Sequence, residues 1–467
     1  MPLDFLSGAQ GEPKNLRRLI APQATLGVPT SDADEFVEYR SNGGPFRPSR
    51  ASVPRSVISR TKQKPLPGKM TLSGGPFDLG DVDPGNIGMI HMLANFFGNY
   101  SVEVIPETRV GGGNFVRWIF GASQATSSAP YLTAVEDNDV LPRFRGYDIR
   151  LNSLSAQAAA NAAYAINFGF LGGSHDMFGP VSQTAGTGSE IPVFTGTWSG
   201  NWEPSLDRDI YLRVESQDAD EVEFVAKVGS AASYGTITFT VPRGTKVRIV
   251  DSTSGEYLAG ETSYTETPYV YVGNGTYVVA DEFRALNRRA ALSTSLGIER
   301  PIASVNTLFM LDGAQFRSEG GWTYESSWQR GESQADVSGV QGATPVRSGV
   351  INTTLTPTRE LRDLTLQKLI HQATNVAAYI EAGTDVYIPG TIRRFRFMAI
   401  FPYLQASGDM YGTESGGENT QESVTLETGT PDSTYTVTDP DQNIEIDEDF
   451  AIVVETNIGD LYGAIVT

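Results

Sequence analysis

Residues 69–120 read KMTLSGGPFDLGDVDPGNIGMIHMLANFFGNYSVEVIPETRVGGGNFVRWIF, and this stretch decides how the rest of the chain is parsed. Lys69-Met70-Thr71-Leu72 reads as a strand. Ile87, Ile90, Leu93, Ala94 and Phe97 then fall at helical spacing. Asp83 and Pro84 precede that run and Gly98 closes it. Asp is a good N-cap. Pro suits the first helical position because its missing N–H would be unpaired there. Gly adopts the left-handed conformation that ends a helix. The punctuation predicts a helix of about 14 residues. Ser101–Ile105 alternates as a strand, and Asn114–Phe120 is a second, more fully apolar one.

Working outward, the same order recurs. Gly349–Leu355 is strand-like, and Thr356-Pro357 reads as the cap of a second helix with the stripe Leu366, Leu369, Ile370 and Ala373. Val376–Ile380 continues as a strand. Arg394–Phe401 follows, with Phe395, Phe397, Ala399 and Phe401 on one face. Ile90-His91 and Ile370-His371 sit inside the two helices, and element order rather than residue identity points to duplication. Tyr147–Leu151 and Ala162–Leu171 alternate between the two units. Residues 192–285 look wholly β. There, two alternating runs, Tyr269–Gly273 and Thr276–Val279, flank Asn274-Gly275, which predicts a type I′ hairpin. Asp281–Leu292 reads as a short helix or linker, and the chain ends on the strand-like runs Phe450–Val454 and Leu461–Val466.

Composition narrows the function classes. The chain has 467 residues, 39% hydrophobic and 19% charged, enough to bury a sizeable core. It has no Cys, which excludes disulfide scaffolds, thiolate metal sites and Cys nucleophiles. Three His leave little material for a His-rich metal centre or a Ser-His-Asp hydrolase. There is no 18-residue apolar run, so no membrane insertion is expected, and the N-terminus lacks an apolar export segment. A cytoplasm-like folding compartment is therefore expected. The net charge of −20 opposes tight binding of duplex DNA, because phosphate neutralisation needs Lys and Arg.

That charge is unevenly spread. Residues 1–70 hold eleven Lys/Arg against six Asp/Glu, and the remainder holds 24 against 49. Arg40–Lys69 contains eight bases and no acid; Asp409–Asp449 contains twelve acids and no base. Residues 1–67, rich in Pro, read as an extended basic arm. Self-complementarity follows as an expectation: Arg47, Arg50, Arg55, Arg60, Lys62 and Lys64 of one copy meet Asp439, Asp441, Asp447, Glu448 and Asp449 of the next. Such head-to-tail contacts build rings or filaments. On this reading, removing residues 1–60 leaves folded subunits that polymerise poorly.

Gly68-Lys69-Met70-Thr71-Leu72, then Asp83-Pro84-Gly85-Asn86-Ile87-Gly88-Met89-Ile90 and Gly98, resembles the strand-then-helix signature of bacteriophage tail tube proteins. Gly146–Ser155 and Ala160–Gly172 resemble the long strand pair that follows it, so the likeness covers roughly residues 45–175. The resemblance implies a mainly β fold of two tail-tube-type β-sandwich or barrel domains, each with one flanking helix; the additional all-β segment 192–285 between them departs from the family pattern. The expected division is 1–67 arm, 68–191 first tube-like domain, 192–295 inserted or decorating β domain and 296–467 second tube-like domain. It also implies a siphophage-type virion subunit in trimeric, pseudo-sixfold rings stacked into a hollow tail tube. Tape measure, tail-tip and terminator proteins are its implied partners, with assembly in the host cytoplasm. Duplex DNA would pass through without tight binding, since a bore lined by carboxylates repels a phosphate rod within a Debye length of about 8 Å.

Rival constellations are weaker. Asp439–Asp447 has acids at calcium-loop positions 1 and 3 but lacks the Gly at 6, and Phe450 replaces the bidentate Glu, so a solvated acidic loop is expected. Gly186-Thr187-Gly188-Ser189 and Gly111-Gly112-Gly113 lack the Lys-Ser/Thr of a phosphate loop. Trp198, Trp202, Trp322 and Trp328 offer sugar-stacking surfaces, though packing explains them more simply. The expectation is a non-enzymatic chain with no cofactor, metal or catalytic residue. The alternative is a β-rich phage surface or fibre protein that binds host glycans or a receptor.

Overall fold

The structure is a computed structural model. It describes residues 17–30, 36–53, 66–108, 112–121, 130–137, 144–159, 162–172, 174–176, 181–195, 210–228, 236–255, 269–285, 294–295, 302, 306–318, 320–328, 331–332, 345–346, 351–360, 365–407, 413–416 and 419–462. The fold is mainly β, built from antiparallel sheets with two helices among the described residues.

The N-terminal segment departs from the expected arm. Strand β1 (Arg17–Gln23) pairs with β2 (Phe36–Tyr39), and Leu19, Ile20, Phe36 and Val37 are buried. Proline excludes a long helix here but not a strand, and Pro22 lies in the ladder opposite Leu132. A deletion of residues 1–60 would thus remove core strands instead of freeing an appendage. Beyond Phe46, β3 (Arg47–Val53) and β4 (Leu66–Ser73) form a separate two-stranded sheet.

Helix α1 (Ile87–Phe97) begins later than Asp83 predicts. Asp83 instead closes a turn, accepting from the Gly85 N–H at 2.9 Å, and Asn86 becomes the cap, accepting from the Gly88 N–H at 2.7 Å. Gly98 ends the helix as expected, at φ 74° with its N–H bonded to the Ala94 carbonyl. Every α1 residue after Ile87 is buried. Strands β5 (Tyr100–Pro106) and β6 (Asn114–Gly121) follow as a hairpin. Then come β7 (Tyr131–Asp137), which completes the β1 ladder, β8 (Phe144–Ala158) and β9 (Ala165–Leu171). The long β8 turns from one sheet into another near Asp148, a non-glycine residue at φ 57°.

The accessory β segment starts earlier than expected, at β10 (Val181–Ala185). It continues through β11 (Ile210–Gln217), β12 (Glu221–Val228), β13 (Thr236–Pro242), β14 (Lys246–Arg248), β15 (Tyr269–Tyr271) and β16 (Glu282–Ala285). The order β10-β16-β11-β12-β13 forms one sheet, and β15 pairs with β14 and with Val193–Thr195. Strict alternation along β11–β13 buries Leu212, Val214, Phe224, Ala226, Ile237 and Phe239 in a core of their own. The Asn274-Gly275 hairpin does not form. Neither residue has positive φ, and the Thr276 carbonyl instead accepts from the Ser189 and Glu190 N–H groups. Tertiary bonding overrides the local turn signal. Glu282–Ala285 is likewise strand where the sequence suggests helix or linker.

In the last segment β17 (Thr307–Leu311), β18 (Gly321–Trp328) and β19 (Ile351–Glu360) lead to α2 (Thr365–Gln372). Thr356-Pro357 lies inside β19, with Pro357 opposite Trp322, and caps no helix. Strands β20 (Asn375–Tyr387) and β21 (Arg394–Ser407) form a hairpin, followed by β22 (Thr425–Thr428), β23 (Tyr435–Val437), β24 (Ile444–Ile446) and β25 (Ala451–Thr456).

Strands β8 and β18 pair with each other, and β25 pairs with both β6 and β21. One apolar core therefore runs from Ile20 to Tyr462 and draws on both the 68–191 and the 296–467 segments. The two expected tube-like units share it. The β23–β24 hairpin lies over Met398, Ile400 and Val453 on the opposite face of the β21–β25 ladder. No described helix is long and apolar enough to cross a membrane.

Candidate functional site

The basic hairpin is anchored at Phe46. Its backbone N–H donates to Glu136 Oε2 at 3.0 Å, and its ring packs against Phe77, Phe144 and Phe170. Arg18 lies 3.4 Å from Glu136; burial raises the Glu136 carboxyl above its ordinary range despite that neighbour. Strands β3 and β4 pair antiparallel with a bulge between Arg50 and Ser52. Arg47 is exposed, and among the described residues no ion pair joins it to the acidic stretch. The Arg50 side chain and residues Arg55, Arg60, Lys62 and Lys64 lie outside what the structure describes.

The acidic stretch divides in two. Asp439 and Asp441 find partners within the chain. Arg393 bonds Asp439, Asp441 Oδ2 at 2.9 Å and Glu455 Oε2 at 2.9 Å. Arg396 bonds Asp439 and Glu455, both at 2.7 Å, and Glu381 at 3.1 Å. Arg117 donates to Glu455 at 2.9 and 3.0 Å and to the Gln442 carbonyl at 2.8 Å. Thr108 donates to Asp441 through both its N–H and its hydroxyl. The network thus joins β6, β20, β21, β25 and the β23–β24 hairpin.

Burial alone would raise Asp439 and Glu455. The adjacent guanidiniums override it, holding Asp439 well below the usual range and lowering Glu455. Burial would likewise lower Arg396, yet Glu455 and Glu381 push it up. Asp439 and Asp441 are therefore neither a solvated loop nor a calcium site. Among the described residues no group of His, Asp or Glu is arranged to hold a metal ion. Asp447 is exposed, and Glu448 and Asp449 are half-buried beside it; Glu427, Asp432 and Glu445 of the stretch are exposed as well.

The Gly186–Ser189 segment resolves differently from a phosphate loop. The N–H groups of Thr187 and Gly188 point at the carboxylate of buried Asp281, which also accepts from the Val278 N–H at 2.6 Å. This anion-binding concavity is filled by the chain's own acid. His91 is buried on α1 with Nδ1 2.5 Å from the Tyr462 hydroxyl, whereas His371 is exposed on α2. Trp322 and Trp328 are core residues, and Trp328 Nε1 donates to the Phe96 carbonyl; Trp198 and Trp202 lie outside the described residues.

Sequence reasoning missed Arg117, Arg393, Arg396 and Glu455 as a unit. The signal was present: Glu455 closes an otherwise apolar run, and Arg117 interrupts another. A charge inside a buried strand demands a partner. A scan against known protein families gave no match, and a search of curated proteins found no relative of this chain.

Proposed function

We propose that the chain is a structural subunit that joins identical copies into stacked rings, forming a hollow phage tail tube through which duplex DNA passes. The observation that carries this reading is an open sheet edge. Strand β5 is seven residues long and pairs only with β6 among the described residues, and Val104 on it is 63% exposed. An uncovered edge of that length is a template for another strand. At the far end of the same run of strands, among the described residues only the two-residue strand Ala314–Gln315 folds over β17.

Charge supports the reading. Arg47 at the start of β3 is exposed, and Asp447, Glu448 and Asp449 leave negative charge on the surface. Asp439 and Asp441 drop out of the proposed contact set, because their charge is met internally. A subunit at −20 repels duplex DNA, as a conduit requires. No catalytic step is assigned to any residue.

Negative-stain electron microscopy of the purified chain tests the proposal. Rings or hollow rods are expected; compact single particles at high concentration would refute it.

A further inference from the structure

We infer that the C-terminal strap, residues 457–462, is an acid-released cover over His91 of α1 and Trp118 of β6. Ladder pairing stops at Thr456 of β25, opposite Val116. Beyond it the strap bonds mostly to its own neighbourhood: the Ile458 N–H donates to Thr456 Oγ1 at 3.4 Å, and the Tyr462 N–H to Asp460 Oδ1 at 2.9 Å. Among the described residues two hydrogen bonds tie it to the body. Trp118 Nε1 donates to the Ile458 carbonyl at 2.8 Å, and the Tyr462 hydroxyl lies 2.5 Å from His91 Nδ1. The rest is packing. Ile458 and Leu461 are half-buried against the main core, and the Tyr462 ring centre lies 5.3 Å from that of Tyr100, 6.3 Å from Trp118 and 5.5 Å from His91. A chain end held by so few ties opens at far lower free energy than the core beneath it.

His91 is the pH-sensitive part of this lock. In the neutral imidazole, Nδ1 can accept the Tyr462 O–H. A proton on Nδ1 reverses that bond, takes the acceptor away from the Tyr462 hydroxyl and leaves a buried cation. No carboxylate among the described residues bonds His91. Tyr100 on β5, and Tyr462 and Asp460 on the strap, are the titratable groups on that side, and α1 carries no other. Charges on the strands packed against α1 are engaged elsewhere. Arg17 bonds Glu38, Arg18 bonds Glu136 and Arg117 bonds Glu455. On β8, Asp148 accepts from the Gln23 amide, Arg145 donates to the Phe194 carbonyl and Arg150 lies over the Tyr131 ring. Lifting the strap gives the imidazolium water instead. Burial lowers the closed form from 6.5 to about 4, so closure is fully stable above pH 6.5 and weakens as pH falls from there towards 4.

This inference stands whether or not the chain builds a tube. The test is carboxypeptidase digestion of the full-length chain, read by mass spectrometry. Removal of Tyr462 is timed against the same step in a free peptide of residues 453–467, which cancels the protease's own pH dependence. Amide exchange along α1 is followed in parallel. Between pH 7 and pH 4.5 the relative rate is expected to rise about 50-fold while α1 keeps its protection. His91→Gln retains an acceptor for the Tyr462 hydroxyl but cannot titrate, and should lose the response. Asp460→Asn should respond as wild type does. A rate that does not change with pH, the same rise in His91→Gln, loss of the response in Asp460→Asn, or an equal loss of protection along α1 would each overturn the proposal.

Discussion

The two helix-and-hairpin units, α1-β5-β6 and α2-β20-β21, share an order of elements and differ in almost everything else. Helix α1 is buried along its length and capped at both ends. Helix α2 has eight residues; Leu366 is buried, Leu369 and Ile370 are half-buried, and His371 and Gln372 are exposed. The hairpins differ in the opposite sense. Strand β21 is enclosed, with β20 on one side and β22 and β25 on the other. Among the described residues strand β5 has a neighbour on one side only. Both hairpins contribute to the shared core, but helix α1 lies inside it whereas α2 covers it, and the first hairpin leaves an edge unpaired among the described residues where the second forms a closed seam. A repeated order of elements does not mean a repeated role.

That contrast can be broken most forcefully at the seam, where Glu455 serves arginines from both hairpins. Glu455→Gln leaves buried guanidiniums short of charge and should cost about 3–5 kcal/mol by denaturant unfolding. A loss below about 1 kcal/mol would show that the network does not bind the units together. Next come the helices. Leu93→Ala on α1 should cost about 2–5 kcal/mol, whereas Leu369→Ala, at a half-buried site, should cost less than half as much. Equal losses would contradict the assignment of core and cover.

A smaller, pH-dependent effect belongs to His91. Burial pushes His91 down to about 4 from its ordinary 6.5. The unfolded chain then takes up the proton first, so stability falls as pH drops from 6.5 towards 4, by about 3 kcal/mol in all. Glu136 and Asp148, raised by burial, act in the opposite direction, so the comparison with His91→Gln is the informative one. The variant should lack this slope in unfolding titrations between pH 4 and 7; an unchanged slope would place the titration elsewhere.

Strands with a local apolar pattern were legible from residue order: β5, β6, β20 and β21 all lie where that pattern places them. Gly98 was legible because a helix end needs positive φ there. Asn274-Gly275 misled because a turn signal reports only its neighbours, while the Thr276 carbonyl is claimed by Ser189 and Glu190 far along the chain. The acidic stretch misled for the same reason. Asp439 is paired with Arg393 and Arg396, and Arg117, more than 300 residues away, binds its neighbour Gln442. The N-terminal segment shows that proline counts argue against helices without arguing for a free arm.

The central claim is that the open β5 edge of the first unit is where copies join. Val104 and Val386 are both exposed valines, one on the open strand and one at the end of the enclosed hairpin, at 63% and 46%. Lysine on an edge strand discourages strand addition. Sedimentation velocity of Val104→Lys and Val386→Lys beside the wild type is the direct measurement. Large assemblies that vanish only in Val104→Lys are predicted; assembly that survives in Val104→Lys would contradict the account.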